Sequence, residues 1–304
     1  MLKILIVGWG SIAKQHVQAL HNLNRKFELY RLVRNNSSDE QRFIKSYKHV
    51  SAIDVQLDFA IIANPSSLHA RTIEALSVLD IPLFVEKPFV TSISELETVL
   101  QIINKKQLVV YVAHCLRFLG CLRFLESYIR NTNRQINEVN AYFGSYLPDW
   151  RPGQDYRLTY STNKSLGGGV DLDLIHEPDY VYWLFGLPIN VKKVISNRSH
   201  LKLDVPDMAH LIFEYDDFMA FITVNYYRKD TKRTMEIVME DQTLDIDLIE
   251  NTVISSSGEL LYKGSPLKEK AYLDDQMNYF LSNYNGAFDF NNPAEAGELL
   301  KLCI

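Results

Sequence analysis

Cysteine is scarce in this sequence: 304 residues hold three, Cys115, Cys121 and Cys303, with no CxxC spacing. So sparse and odd a set excludes a disulfide-built scaffold and reads as packing in a reducing compartment, so the expected location is cytoplasmic. A basic excess is also missing, because 32 Lys and Arg stand against 37 Asp and Glu, a net charge of −5. Sequence-independent binding to nucleic acid needs a basic face, so no nucleic-acid partner is expected. No apolar run is long enough to cross a bilayer, and the one at residues 4–7 stops at Gly8, too short for a signal peptide. No membrane partner is expected either. Several chemistries lack their residues. Gly167-Gly168-Gly169 is not followed by the Lys-Ser/Thr of a P-loop, His176-Glu177 lacks the second histidine of HExxH, and no GxSxG is found. No metal-ligand spacing occurs, so no metal is expected.

What is present is an alternation of short apolar runs with helical spacing. The length suits two domains. Residues 3–7, 27–33, 59–63, 83–85 and 108–113 read as buried strands. Helices are expected between them, after Gly10, over 67–79 and over 95–103. Strands alternating with helices predict an α/β Rossmann domain, a doubly wound parallel sheet, over 1–118. The pattern then changes. A helix is predicted over 119–130, a tyrosine- and arginine-rich stretch runs over 142–160, and one helix is predicted from the glycine triplet to Gly186. Strands follow over 209–215, 218–227, 234–240 and 243–249, and residues 274–304 read as helix, polar loop and helix. This predicts an α+β domain over 119–304 with a large, mainly antiparallel sheet, serving substrate binding and oligomerisation.

Gly8-Trp9-Gly10-Ser11-Ile12-Ala13 follows the first strand and opens a helix, the context that a dinucleotide fingerprint needs. Gly8 permits the tight turn, Gly10 admits a pyrophosphate close to the backbone, and Ala13 replaces the third glycine at the helix–strand contact. The N–H groups of Ser11 and Ile12 stand at the positive end of the helix. A glycine turn without a ligand would show the same residues. No carboxylate ends the second strand before Asp39; Arg34 stands there instead, suited to a 2′-phosphate. NADP is therefore preferred over NAD. Glu86-Lys87-Pro88 follows the fourth predicted strand, where carboxyl ends face the ligand crevice. Asp173, His176 and Asp179 are three residues apart, which on a helix places them near one face. Helix capping and a core-edge histidine are the plainer account of that set.

Together these motifs, with Ala63-Asn64-Pro65, His69, and Arg117-Phe118, resemble the Gfo/Idh/MocA oxidoreductases across nearly the whole chain. The stretch 145–152 and Asp173-Leu174-Ile175-His176-Glu177 resemble members from bacterial surface-polysaccharide and amino-sugar pathways. The resemblance implies hydride transfer between a nicotinamide cofactor and a hydroxyl or carbonyl carbon of a sugar or nucleotide sugar. It implies His176 as general acid/base, Lys87 as a donor to the reacting oxygen, and Asp173 as orienter. It also implies Asn64, Pro65, His69, Glu86 and Lys87 as cofactor contacts, and a homodimer or homotetramer. The family's common spacing puts the histidine four residues after the aspartate; here it is three from Asp173 and five from Asp171, so which one orients His176 stays open. Arg117, Tyr146, Trp150, Arg151, Tyr156 and Arg157 are the expected substrate contacts, a polar aromatic set that also suits loop packing. A cofactor-dependent glycosidase and a non-catalytic dinucleotide sensor are the alternative functions.

Overall fold

Phe59–Ile62, Leu83–Glu86 and Val110–Ala113 are buried along their whole length. Strands with no polar face belong inside a parallel sheet covered on both sides. The computed structural model, which describes residues 1–33 and 42–304, shows that sheet. Its strands are β1 (Leu2–Val7), β2 (Phe27–Leu32), β3 (Lys45–Tyr47), β4 (Phe59–Ile62), β5 (Leu83–Glu86) and β6 (Val110–Ala113), in the order β3-β2-β1-β4-β5-β6. Every pairing is parallel. The order reverses direction at β1, so the carboxyl ends of β1 and β4 open the crevice where such sheets bind ligands. The helices between strands are α1 (Ser11–Asn22), α2 (His69–Leu76) and α3 (Ile93–Lys106). Ser92 caps α3 through its side chain, and Glu95 reaches back to the Thr91 N–H.

The second sheet has eight strands in the order β14-β13-β12-β11-β7-β10-β9-β8. They are β7 (Ile136–Tyr146), β8 (Asn190–Ser196), β9 (Met208–Glu214), β10 (Met219–Asn225), β11 (Tyr227–Met239), β12 (Thr243–Asp247), β13 (Thr252–Ser255) and β14 (Leu260–Lys263). Only β7 with β10 pairs in parallel, so the sheet is mainly antiparallel, as expected. The helices around it in sequence are α4 (Gly120–Asn131), α5 (Val170–Asp173) and α6 (His176–Phe185). Strand alternation sorts side chains by face. Val139, Ala141 and Ser145 on β7 are buried, while Asn140, Tyr142 and Tyr146 turn to the other face.

The chain ends in α7 (Ala271–Asn283) and α8 (Pro293–Cys303). Leu273–Lys301 joins Met1–His114 in one unit, and Cys115–Tyr272 with Leu302–Ile304 forms the other. This differs from the expected division at 118, with all of 119–304 in the second domain. The physical reason is aromatic packing. Phe280 of α7 lies 5.0 Å from Phe59 and 5.1 Å from Phe84, ring centre to ring centre, and Phe288 lies 4.9 Å from Tyr111. Asn291 completes the attachment: its carbonyl accepts from the Val112 N–H on the edge strand, and its side chain donates to the Tyr111 hydroxyl.

The single helix expected from the glycine triplet to Gly186 is two helices. Leu174 and Ile175 separate α5 from α6. Pro178 sits in the first turn of α6, has no N–H to donate, and its ring would clash with the carbonyl of Leu174, four residues back. Asp173 and His176 therefore do not share a helix face through regular spacing.

Candidate active site

In the first unit the glycine loop leads from β1 into α1. Gly8 has φ +90, and a Cβ there would lie 2.5 Å from the Ala63 carbonyl oxygen and the Asn64 nitrogen. Only glycine lets this turn press against the turn that follows β4. Gly10 is the opposite case, since a Cβ would meet nothing within 4 Å. No side chain caps the amino end of α1, which leaves the first N–H groups, those of Ser11 and Ile12 among them, without an intrahelical acceptor. Ser11 is exposed, Ile12 half-buried and Ala13 fully buried against the sheet. The open space beside Gly10 at a helix amino end leaves room for the pyrophosphate of a dinucleotide. Arg34 lies outside the described residues.

Lys87 follows β5, half-buried, on the same carboxyl edge of the sheet. Its neighbours are held tightly. Glu86 is nearly buried; its Oε1 accepts from Nε2 of His16 at 2.5 Å, and its Oε2 accepts from the Lys87 N–H at 3.2 Å. Burial pushes the Glu86 pKa up, but the His16 bond, the His16 charge and Lys87 outweigh it, so the carboxyl sits below its ordinary value. His69 begins α2 and is fully buried. Its Nε2 lies 3.0 Å from the Asn64 carbonyl oxygen, and its Nδ1 lies 3.0 Å and 3.2 Å from those of Pro88 and Phe89. Burial is the largest influence and lowers its pKa, against those carbonyls and Glu86. Glu86 and His69, expected as cofactor contacts, thus spend their polar atoms on the chain itself. Asn64 donates to the Thr72 hydroxyl, and Pro65 is half-buried beside it.

In the second unit the glycine triplet brings two segments together. A Cβ on Gly168 would lie 2.4 Å from the Tyr160 carbonyl oxygen, and the Gly169 N–H donates to the Ser161 carbonyl. That approach places the Ser161 hydroxyl on Oδ2 of Asp173 at 2.7 Å. The Tyr226 hydroxyl donates to the same oxygen at 3.0 Å. Burial first, then the Asp173 charge, raises the Tyr226 pKa well above its ordinary value. Two hydroxyls thus hold the Asp173 side chain in place. Asp171 instead folds toward Gly169, whose Cβ would stand 2.7 Å from its Oδ1, and burial raises its pKa. His176 is the first residue of α6 and half-buried.

Two buried ion pairs anchor α6 just beyond His176. Asp179 receives Arg117 Nη2 at 2.7 Å and Nε at 3.1 Å, with both side chains at 0% exposure. Glu177 receives Arg233 Nε at 2.7 Å. Asp179 is thus turned to Arg117, and Arg117, expected to contact substrate, is an anchor of α6 inside the protein.

The other expected substrate contacts divide. Trp150 donates from Nε1 to the Ser145 hydroxyl, and its ring meets Tyr226 edge-on at 5.4 Å, on the Asp173 side of the sheet. Arg151 is adjacent and half-buried; its Nη1 is buried with no hydrogen-bond partner among the described residues. Tyr146 belongs to the opposite face, stacked at 6.0 Å on His200. Alternation puts neighbours on a strand on opposite faces, which separates Tyr146 from Ser145. Arg157 is exposed, over the Tyr156 ring at 4.8 Å and 3.7 Å from Asp155, an arrangement local to one turn. Sequence reasoning missed His16, Ser161 and Tyr226. His16 carried a signal, a histidine among Ala13, Val17 and Leu20 on the buried face of α1.

No group of His, Cys, Asp and Glu among the described residues is arranged to hold a metal ion. No helix among them is long and apolar enough to cross a membrane.

Residues 2–114 match the model of an oxidoreductase family with an NAD-binding Rossmann fold, and residues 134–245 match the GFO/IDH/MocA C-terminal domain. The chain is similar to UDP-N-acetylglucosamine 3-dehydrogenase of Acidithiobacillus ferrooxidans, 23% identical over 254 residues, covering 82% of this chain and 74% of that one. It is also similar to the rhizopine catabolism protein MocA of Rhizobium meliloti, 25% identical over 168 residues, 53% of this chain and half of that one. Among solved structures, a levoglucosan dehydrogenase in complex with NADH and levoglucosan shares the fold, with a TM-score of 0.83 at 17% identity, covering 99% of this chain and 95% of that one. GenD2 from gentamicin A biosynthesis, in complex with NAD, shares it with a TM-score of 0.81 at 16% identity, covering 99% and 92%.

Proposed function

The chain belongs to the Gfo/Idh/MocA family of NAD-binding oxidoreductases, and from that premise we propose that it transfers hydride between a nicotinamide cofactor and a carbinol or carbonyl carbon of a sugar or nucleotide sugar. The observation that carries the reading is the bond from His16 to Glu86. It ties the helix suited to the cofactor phosphates directly to the residue before Lys87, so a phosphate-binding end and a cationic side chain are built as one piece. The similarity to a UDP-N-acetylglucosamine dehydrogenase and to the fold of a levoglucosan dehydrogenase supports a sugar substrate. A role in surface-polysaccharide or amino-sugar synthesis is part of the proposal.

When bound, the nicotinamide ring takes up or gives back the hydride. In the oxidative direction the carbon–hydrogen bond breaks with its electron pair, and the hydroxyl proton leaves the oxygen. His176 receives that proton as general base and returns it in reduction. Lys87 donates a hydrogen bond to the same oxygen and stabilises the negative charge that develops there. Asp173, fixed by Ser161 and Tyr226, orients His176 or accepts from a neighbouring sugar hydroxyl. Trp150 and Arg151 are the proposed substrate contacts on the Asp173 side, where a guanidinium suits a phosphate or carboxylate. The proposed preference for NADP rests on Arg34, a partner for a 2′-phosphate; tighter binding of NAD would overturn it. The polar face of the eight-stranded sheet is the proposed self-association surface of a homodimer or homotetramer. The test of the function is a change in nicotinamide absorbance with a panel of sugars and nucleotide sugars. Absence of any change, with cofactor bound, would remove the proposal.

A further inference from the structure

The turn that carries Lys87 is gripped on both sides by buried histidines, and we propose that His16 and His69 are positioning residues that set Lys87 for the reaction. The inference deepens the hydride-transfer reading and rests on it. Upstream of Lys87, His16 Nε2 donates to Glu86 at 2.5 Å, and the other oxygen of Glu86 accepts from the Lys87 N–H. The His16 ring also packs edge-on against Phe84 at 4.7 Å, two residues before Glu86 on β5. Downstream, His69 Nδ1 faces the carbonyl oxygens of Pro88 and Phe89, while Nε2 faces that of Asn64. The residues at positions 86, 88 and 89 thus each face one of two imidazoles, and Lys87 stands between them in the chain.

Packing alone does not ask for these rings. Both histidines are fully buried, where an apolar side chain of similar size fills space without a polar group to satisfy. One ring nitrogen of each, Nε2 of His16 and Nδ1 of His69, faces the four-residue turn 86–89. The two rings also come from different helices, α1 and α2, and each helix starts at a loop of the proposed cofactor site. His16 lies one and a half turns into the helix whose amino end faces the pyrophosphate position. His69 is linked through the Asn64 carbonyl to the turn that presses against Gly8. The clamp therefore fixes the Lys87 turn relative to the same loops that receive the cofactor. The three oxygens around His69 only accept, and burial keeps that ring neutral, so it carries one N–H to give. Its grip is a hydrogen bond to one turn and close contact with the other.

The test compares three variants of the full chain. His69→Leu deletes one grip. The double variant His16→Leu with Glu86→Met deletes the other without leaving a lone buried charge, so it folds where His16→Leu alone would strand Glu86. His16→Gln keeps a donor for Glu86. Steady-state kinetics, cofactor affinity, and hydrogen exchange at the Lys87 and Phe89 amides of the cofactor-free chain are read for each. Positioning predicts a fall in kcat of about tenfold or more in the first two variants, with cofactor affinity within about threefold of wild type. It also predicts faster exchange at those amides, and recovery of both readouts in His16→Gln. Folded variants with wild-type kcat and wild-type exchange would overturn it. Should the wild-type chain transfer no hydride, the functional reading fails, and the exchange measurement still decides whether the histidines hold the turn.

Discussion

The Tyr226 hydroxyl donates to Oδ2 of Asp173 at 3.0 Å, on the same oxygen that the Ser161 hydroxyl reaches at 2.7 Å. Tyr226 is fully buried, so its hydroxyl has no water to turn to. Tyr226→Phe removes only that oxygen. A hydrogen bond to a charged group is worth roughly 1.5–3 kcal/mol. The expected result is a fall in kcat of about tenfold, with cofactor KM unchanged, because the carboxylate loses its fixed rotamer and not its charge. Ser161→Ala follows the same direction, and steady-state kinetics of both variants check it.

Arg117 and Asp179 test the anchoring of α6. Both side chains are fully buried. Removing one partner strands the other, a cost of about 3–5 kcal/mol. Arg117→Ala should lower the melting temperature sharply. Arg117→Met with Asp179→Leu, which deletes both charges and keeps volume, should recover most of the loss. Thermal unfolding of the single and double variants decides between an anchor and a substrate contact, since a substrate contact predicts a raised KM at unchanged stability.

The two loop glycines should separate stability from binding. At Gly8 a methyl group meets backbone at 2.5 Å and the φ is +90, so Gly8→Ala strains the fold and lowers the melting temperature. At Gly10 a methyl group meets nothing of the protein within 4 Å. Gly10→Ala should therefore leave stability of the cofactor-free chain unchanged and weaken cofactor binding by about tenfold or more, because the added carbon occupies the pyrophosphate position. Unfolding curves with and without cofactor measure both effects.

His69 makes a prediction for pH. Its folded pKa lies below the unfolded value near 6.5, with burial the largest cause. Above that unfolded value the ring is neutral in both states, and its contribution to stability is fully present. As pH falls below it, the unfolded chain binds the proton more readily, so stability declines until the folded pKa is passed. His69→Leu should flatten that part of the stability profile. Chemical unfolding measured at a series of pH values between neutral and mildly acid checks the slope.

Much of the first unit was legible because its signals are local. Runs such as Phe59–Ile62 bury every residue, and the glycine loop sits between strand and helix in plain order. What escaped depends on contacts distant in sequence. The return of α7 to the first sheet is written only in Phe280 and Phe288, apolar residues that any core would accept. Strand β7 lies at the centre of the second sheet, yet its alternation is diluted by Asn137 and Gly144. Among the site residues, Lys87, Asp173 and His176 stand in motifs, whereas Ser161 and Tyr226 reach Asp173 from 12 and 53 residues away. Arg117 illustrates the reverse error. A motif arginine suggested a ligand, and burial with Asp179 gives it a structural partner instead.

The central claim is hydride transfer assisted by Lys87. It is tested most directly by following nicotinamide absorbance in single turnovers with sugars and nucleotide sugars, using the wild-type chain beside Lys87→Met. The account predicts a change in absorbance for at least one such substrate, and in the variant a rate lower by about a hundredfold with cofactor still bound. A variant that turns over at the wild-type rate, or a wild-type chain that binds cofactor and changes no absorbance with any of them, would contradict it.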